Sequence, residues 1–231
     1  MPAKNRIKLY VPGAYYHVYN RGVDKRTIFQ DAQDYNVFIS YLKTYLLEKD
    51  IASLNFILCD DDSTTDEKDR AIKELNLNNF CGKIQLLAYC LISNHFHFFL
   101  RQDAVDDMDH FMNSLCTRYS MYFNRKYGRV GPLFQGVYKA VMVDNDEQMI
   151  YLSRYIHRNP VGTVKVSNLN QYHFSSYPDY LNEGNNKVVN ISKILELFNN
   201  KREDYKAFVE EEFDVEQEIT DYSLESTYID K

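Results

Sequence analysis

The sequence predicts an α+β fold, an antiparallel sheet with helices on one face. Three observations predict it. Residues 84–100 (IQLLAYCLISNHFHFFL) are two runs of strand-forming aliphatic and aromatic residues, broken by the polar pair Ser93-Asn94 in the manner of a tight hairpin or a bulged continuation. Residues 108–127 place Phe111, Leu115, Tyr119, Tyr122 and Phe123 three or four apart, which makes one face of a helix apolar. Strand-like stretches at 14–22 and 138–143 flank these two, and a second helical stretch follows the first strand. Strand, helix, strand, strand, helix, strand is the ferredoxin-like, or RRM-like, order.

The elements follow one by one. Residues 14–22 (AYYHVYNRG) alternate as a strand does and close on Gly22, where the backbone is free to turn. Asp31 caps a helix reaching about Glu48, with Phe38, Ile39, Leu42, Tyr45 and Leu46 at helical spacing. Residues 50–82 read as an insertion: a short strand at 54–58, an acidic loop with a disordered tip at 60–69, and a short helix at 71–79. The Gly- and Pro-punctuated connector 128–136 (GRVGPLFQG) leads to a fourth strand at 138–143 (YKAVMV). Asp144 or Asn145 caps a helix from 146 to 158, which Pro160 should stop. The principal domain therefore spans 10–180. Helices near 191–198 and 202–213 form a C-terminal extension (181–215), and the acidic tail 216–231 is predicted to be disordered.

At 231 residues and 45% hydrophobic content the chain can bury a full core. No apolar run approaches 18 residues and no apolar segment follows the basic start, so the expectation is a cytoplasmic protein without a membrane span or secretory signal. Cys59, Cys81, Cys90 and Cys116 are widely spaced, with no C-x-x-C pair; they read as reduced thiols and not as a structural zinc site. The net charge of −6 argues against a polyanionic partner only if it is spread evenly. It is not: residues 207–230 hold nine acids and no Lys or Arg, whereas residues 116–166 hold eight bases against three acids. Arg118, Arg125, Lys126, Arg129, Lys139, Arg154 and Arg158 are the candidate phosphate contacts within that basic stretch. A solvated helix face is the plainer reading of the same charges.

Two places carry chemistry. Strand side chains alternate between faces, so His95 and His97 share one face, roughly 7 Å apart, and can converge on one metal ion. In RYIHRNP, Tyr155 and Asn159 stand at i and i+4 and are neighbours on a helix. A tyrosine is a nucleophile once its phenolate, with a free pKa of about 10, is stabilised. Taken singly, each has a plainer counterpart: a hydrogen-bonded strand histidine, or an aromatic packed on an amphipathic helix.

Together these stretches carry a family resemblance. His95-Phe96-His97 resembles the HUH motif (His, bulky hydrophobic, His) of the HUH endonucleases. SNHFHFFL, followed by YFNRKYGRVGPLFQGVYKA and RYIHRNP, resembles the single-tyrosine transposases, most closely the REP-associated tyrosine transposases, and so does the opening YYHVYNRGVDKRTIF. The likeness spans about residues 10–180. It implies a divalent metal, Mg²⁺ or Mn²⁺, on His95 and His97 with help from Asn159; two imidazoles favour Mn²⁺. It implies Tyr155 as nucleophile, ahead of Tyr119 and Tyr122 on the earlier helix, with single-stranded, hairpin-forming DNA as substrate and a 5′-phosphotyrosine intermediate. A homodimer is one assembly open to such a chain. Two positions depart from the family: Ser93 stands where relatives carry Pro, and Val137 where they carry Arg. Two other classes compete. One is a non-catalytic nucleic-acid-binding module with an RRM-like sheet. The other is a metal-dependent hydrolase that attacks with water and has no use for Tyr155.

Overall fold

The computed structural model describes residues 10–163, 169–184 and 186–211; the acidic tail lies outside the described residues. Strands β1 (Tyr15–Arg21), β2 (Ile84–Ile92), β3 (His95–Gln102) and β4 (Lys139–Val143) form an antiparallel sheet in the order β2-β3-β1-β4, the ferredoxin-like arrangement expected from the sequence. Ser93-Asn94 is the turn that joins β2 to β3.

Alternation gives the sheet two unlike faces. Tyr16, Val18, Leu91, Phe96, Phe98 and Leu100 point to one side, where helices α1 (Ala32–Leu46) and α4 (Asp107–Lys126) cover them with Phe38, Leu42, Phe111, Leu115, Tyr119 and Phe123. Asp31 caps α1 as expected, accepting from the Asp34 N–H at 3.0 Å. Leu87, Ala88, Cys90, Ile92 and Phe99 face the other way, against α5 (Asp146–Thr163) and the short helices α6 (Tyr177–Tyr180), α7 (Ser192–Glu196) and α8 (Arg202–Glu210). The core helices thus keep to one face, while α5 and the C-terminal extension close the other.

Three sequence expectations change. Residues 54–58 are not a strand but the middle of helix α2 (Ile51–Cys59), capped by Asp50, whose carboxylate accepts from the Ser53 N–H at 2.9 Å. A short apolar run is compatible with either element, and here the cap decides. The stretch read as an acidic loop already contains the start of α3 (Thr65–Leu75), where Thr64 and Glu67 form a reciprocal capping box. Pro160 does not stop α5, which runs on to Thr163. Proline cancels only the N–H that would meet the Ile156 carbonyl, and the turn beyond it persists.

Candidate active site

The histidine pair stands where alternation put it. His95 and His97 point to the α5 side of β3, and both are about 1% exposed. Across the ladder Arg21 lies opposite His95 and Tyr19 opposite His97, so the same face of β1 presents His17, Tyr19 and Arg21. Helix α5 lies over this face, anchored by buried Leu152 and Ile156. Its position brings the Tyr155 ring to 5.3 Å from the His97 ring and 5.9 Å from the His17 ring, centre to centre. One turn on, Asn159 Oδ1 is 3.1 Å from His95 Nε2. The phenol of the late helix and the imidazoles of the mid-chain strand therefore meet within a single chain.

The hydrogen bonds of the two histidines are alike. His95 Nδ1 is 2.6 Å from Asn94 Oδ1, and His97 Nδ1 is 2.8 Å from His17 Nε2. One N–H on a neutral His95 cannot serve the oxygens of both Asn94 and Asn159. With Nδ1–H donated to Asn94, Nε2 turns a lone pair toward Asn159 Oδ1. His97 Nε2 is buried and has no hydrogen-bond partner. His95 Nε2 and Asn159 Oδ1, 3.1 Å apart, together with the partnerless His97 Nε2, are a donor set that fits a divalent cation. Among the described residues no cluster of three His, Cys, Asp or Glu is arranged for a metal, so the fit rests on two imidazoles and an amide. Burial, then the neighbouring His17 and His95, pushes the His97 pKa well below the usual imidazole value; burial alone pushes His17 down to about 3. Both rings are neutral at pH 7, the state a metal ligand needs.

The back of α5 is fastened to the extension. His157, on the far side from Tyr155, has Nδ1 2.6 Å from the Tyr205 hydroxyl and Nε2 2.8 Å from Ser176 Oγ, and burial lowers its pKa to about 3. The Arg154 guanidinium, 1% exposed, donates to the Glu211 carbonyl at 2.8 Å and lies over the Phe208 ring. Arg158 donates to the carbonyls of Val209 and Glu211 at 2.7 and 2.9 Å. These two arginines, expected to meet phosphate, instead hold the C-terminal end of α8, where unpaired carbonyls and the helix dipole attract cations.

The other basic candidates divide by face. Arg118, Arg125 and Lys126 lie on α4, with Arg129 just beyond it, across the sheet from Tyr155. Arg118 stacks on Tyr41 at 3.9 Å, and Lys126 pairs with Asp31 and Asp34 at 2.8 and 2.7 Å. Tyr119 and Tyr122 share that side, their hydroxyls bonded to the Ile28 carbonyl and to Asp34. Of the seven bases, Lys139 is the one brought to the site: it is exposed on β4 opposite Tyr19, its Nζ 5.6 Å from that ring's centre. Together with Tyr19, Asn20, Arg21, Gln135 and Val137 it lines a cavity of about 80 Å³. Sequence reasoning missed His17 and Arg21. The signal was there: His17, Tyr19 and Arg21 recur two apart on a strand, as His95 and His97 do.

Residues 64–159 match the family "Transposase IS200 like". The fold matches a solved REP-associated tyrosine transposase bound to a REP hairpin, with a TM-score of 0.50 and 13% sequence identity over 82% of this chain and 90% of that one. No curated protein sequence matches the chain. No helix among the described residues is long and apolar enough to cross a membrane.

Proposed function

We propose, from the premise that residues 64–159 are related to the IS200-like transposases, that this transposase-like protein breaks and rejoins single-stranded DNA through Tyr155. The observation that carries the reading is the meeting of Tyr155 with His95, His97 and Asn159 on one face of the sheet.

The residues divide the work. His95 and His97, through Nε2, and Asn159, through Oδ1, would hold a divalent ion, Mg²⁺ or Mn²⁺. When bound, the ion supplies charge neutralisation at a phosphate oxygen. Tyr155 gives up its phenolic proton, and its oxygen forms a bond to phosphorus. The bond from phosphorus to the 3′ oxygen breaks; that oxygen keeps the electron pair and takes up a proton. A 5′-phosphotyrosine and a free 3′-hydroxyl result. The phosphodiester linkage is conserved in the adduct, so a 3′-hydroxyl attacking the phosphotyrosine reverses the step and joins strands. Arg21 and Lys139, beside the histidines, meet the flanking phosphates. A hairpin-forming strand is the substrate class, in keeping with the hairpin held by the structural neighbour.

The test is a denaturing gel. Wild-type protein with Mn²⁺ and a pool of hairpin-forming single strands with randomised flanks is expected to give a covalent protein–DNA band. Tyr155→Phe is expected to give none while binding the hairpins within about threefold of wild type, since one hydroxyl is a small part of a nucleic-acid interface. Adducts surviving in Tyr155→Phe overturn the nucleophile. Cleavage without any adduct points to the hydrolase, and tight binding with neither points to the binding module.

A further inference from the structure

His17 is unaccounted for by the chemistry above. It is a buried histidine on the central strand β1, 1% exposed, and its Nε2 lies 2.8 Å from His97 Nδ1 with the two rings nearly parallel, 14° apart. We propose that His17 is a positioning residue for His97: it accepts the Nδ1–H of His97 and so leaves the Nε2 lone pair of His97 facing the metal position. This rests on the metal reading of His95 and His97.

The pair has two arrangements. If His17 donates, His97 must carry its own proton on Nε2, a buried N–H with no acceptor. If His97 donates, its Nε2 is a bare lone pair, and the leftover proton moves to His17 Nδ1, the other partnerless nitrogen of the pair. Without a cation the two arrangements leave equal numbers of unmet groups. A cation shared with His95 breaks the tie, because it satisfies a lone pair and repels an N–H. The neighbouring ligand supports the choice: Asn94 Oδ1, 2.6 Å from His95 Nδ1, holds that ring from the same nitrogen, and the same Nε2 is turned toward Asn159 Oδ1 and the metal position. Two ligands steered alike, one by a turn amide and one by a strand imidazole, make a matched pair. His17 is not itself a third ligand, since its Nε2 is engaged by His97 and the three rings do not converge on one centre.

Two measurements on the full chain test this. In wild type loaded with Mg²⁺, which is diamagnetic, long-range ¹H–¹⁵N spectra of ¹⁵N-histidine protein are expected to show both His95 and His97 protonated on Nδ1. His97 with its proton on Nε2 would overturn the proposal without any variant being made. Calorimetric titration with Mn²⁺ alone, without DNA, is the second. His17→Leu is expected to weaken binding about 10–100-fold, the usual loss when the group behind a metal ligand is removed. His17→Gln, whose amide oxygen accepts in the same place, is expected to recover most of it. A merely structural role would not single out the hydrogen-bond acceptor in this way. Equal Mn²⁺ affinity in wild type and His17→Leu defeats the positioning role alone. Wild type that binds no Mn²⁺ defeats the metal reading beneath it. If His17→Leu does not fold, the tautomer spectrum and the His17→Gln titration decide.

Discussion

Phe96 and His97 are adjacent on β3, equally buried, and have opposite surroundings. Phe96 sits among Phe38, Phe98 and Phe134, with ring centres 4.6–5.9 Å away, and asks nothing of its neighbours but close packing. His97 sits among His17, His95 and Tyr155, and one of its two polar nitrogens has no partner. Under α1 and α4 Phe96 meets only hydrocarbon, although Arg118 Nη1 and Gln102 Oε1 on that side are also buried without partners. The face under α5 leaves polar groups unmet in the interior, which costs stability and is worth keeping only where a ligand will meet them. One strand, by alternation alone, builds both.

The sharpest way to break this contrast is to truncate the two neighbours separately. Phe96→Ala is expected to cost about 3–5 kcal/mol of stability, read from denaturant midpoints, because it empties a fully buried aromatic site. His97→Ala is expected to abolish metal-dependent adduct formation, with a smaller loss of stability, because it also removes an unsatisfied buried nitrogen. If His97→Ala proves the more destabilising and Phe96→Ala spares the fold, the division of labour between the faces is wrong.

A smaller effect is expected behind the site. Tyr205→Phe removes the hydroxyl that bonds His157 and Ser153 and leaves the His157 nitrogen without that partner. The expected loss is about 1–3 kcal/mol in a chemical melt. Because the same contact steadies the helix that carries Tyr155, adduct formation should slow by a few-fold while hairpin affinity holds. Unchanged rates would show that α8 stabilises α5 without tuning its position.

Much of this was legible from spacing. The succession of strands and helices and the shared face of His95 and His97 follow from periodicities of two and 3.6 residues, the Asp31 cap follows from its residue type, and the ferredoxin-like sheet follows from the element order. What the sequence withheld is contact at long range. His17 reads as an ordinary strand residue until β1 pairs with β3, 80 positions later in the chain. Arg154 and Arg158 read as part of a basic segment, yet at one position before Tyr155 and Asn159 they are turned about 100° round the helix, toward α8. Charge counted along a chain carries no direction. The helix at 51–59 was hidden for another reason: a run as short as FIL fits a strand or a helix equally well, and only Asp50, read as a cap, separates them.

The least of the expected effects belongs to the apolar face and concerns its one-sided use of charge. Asp34, wholly buried, accepts from Lys126 at 2.7 Å, Tyr122 at 3.0 Å, Tyr127 at 2.8 Å and the Gln30 N–H at 2.8 Å. Burial raises its pKa, but the bonds from Lys126, the Gln30 N–H, Tyr127 and Tyr122 outweigh it and hold the carboxyl below its ordinary value. A carboxylate lowered on folding contributes stability that is fully present above its unfolded pKa of about 3.9 and is lost as pH falls through the folded value. Asp34→Asn should therefore melt earlier than wild type at pH 7, and the two melting curves should converge as the pH is taken below about 4. Lys126, committed to this carboxylate and to Asp31, should be dispensable for hairpin binding, so that Lys126→Met changes melting and leaves the salt dependence of DNA affinity untouched. Lys139→Met is its counterpart on the other face: it should flatten that salt dependence by about one phosphate contact and leave melting alone. Should Lys126 and Lys139 exchange these outcomes, DNA runs along α4, and the side of the sheet that holds Tyr155 is not the side that holds the strand.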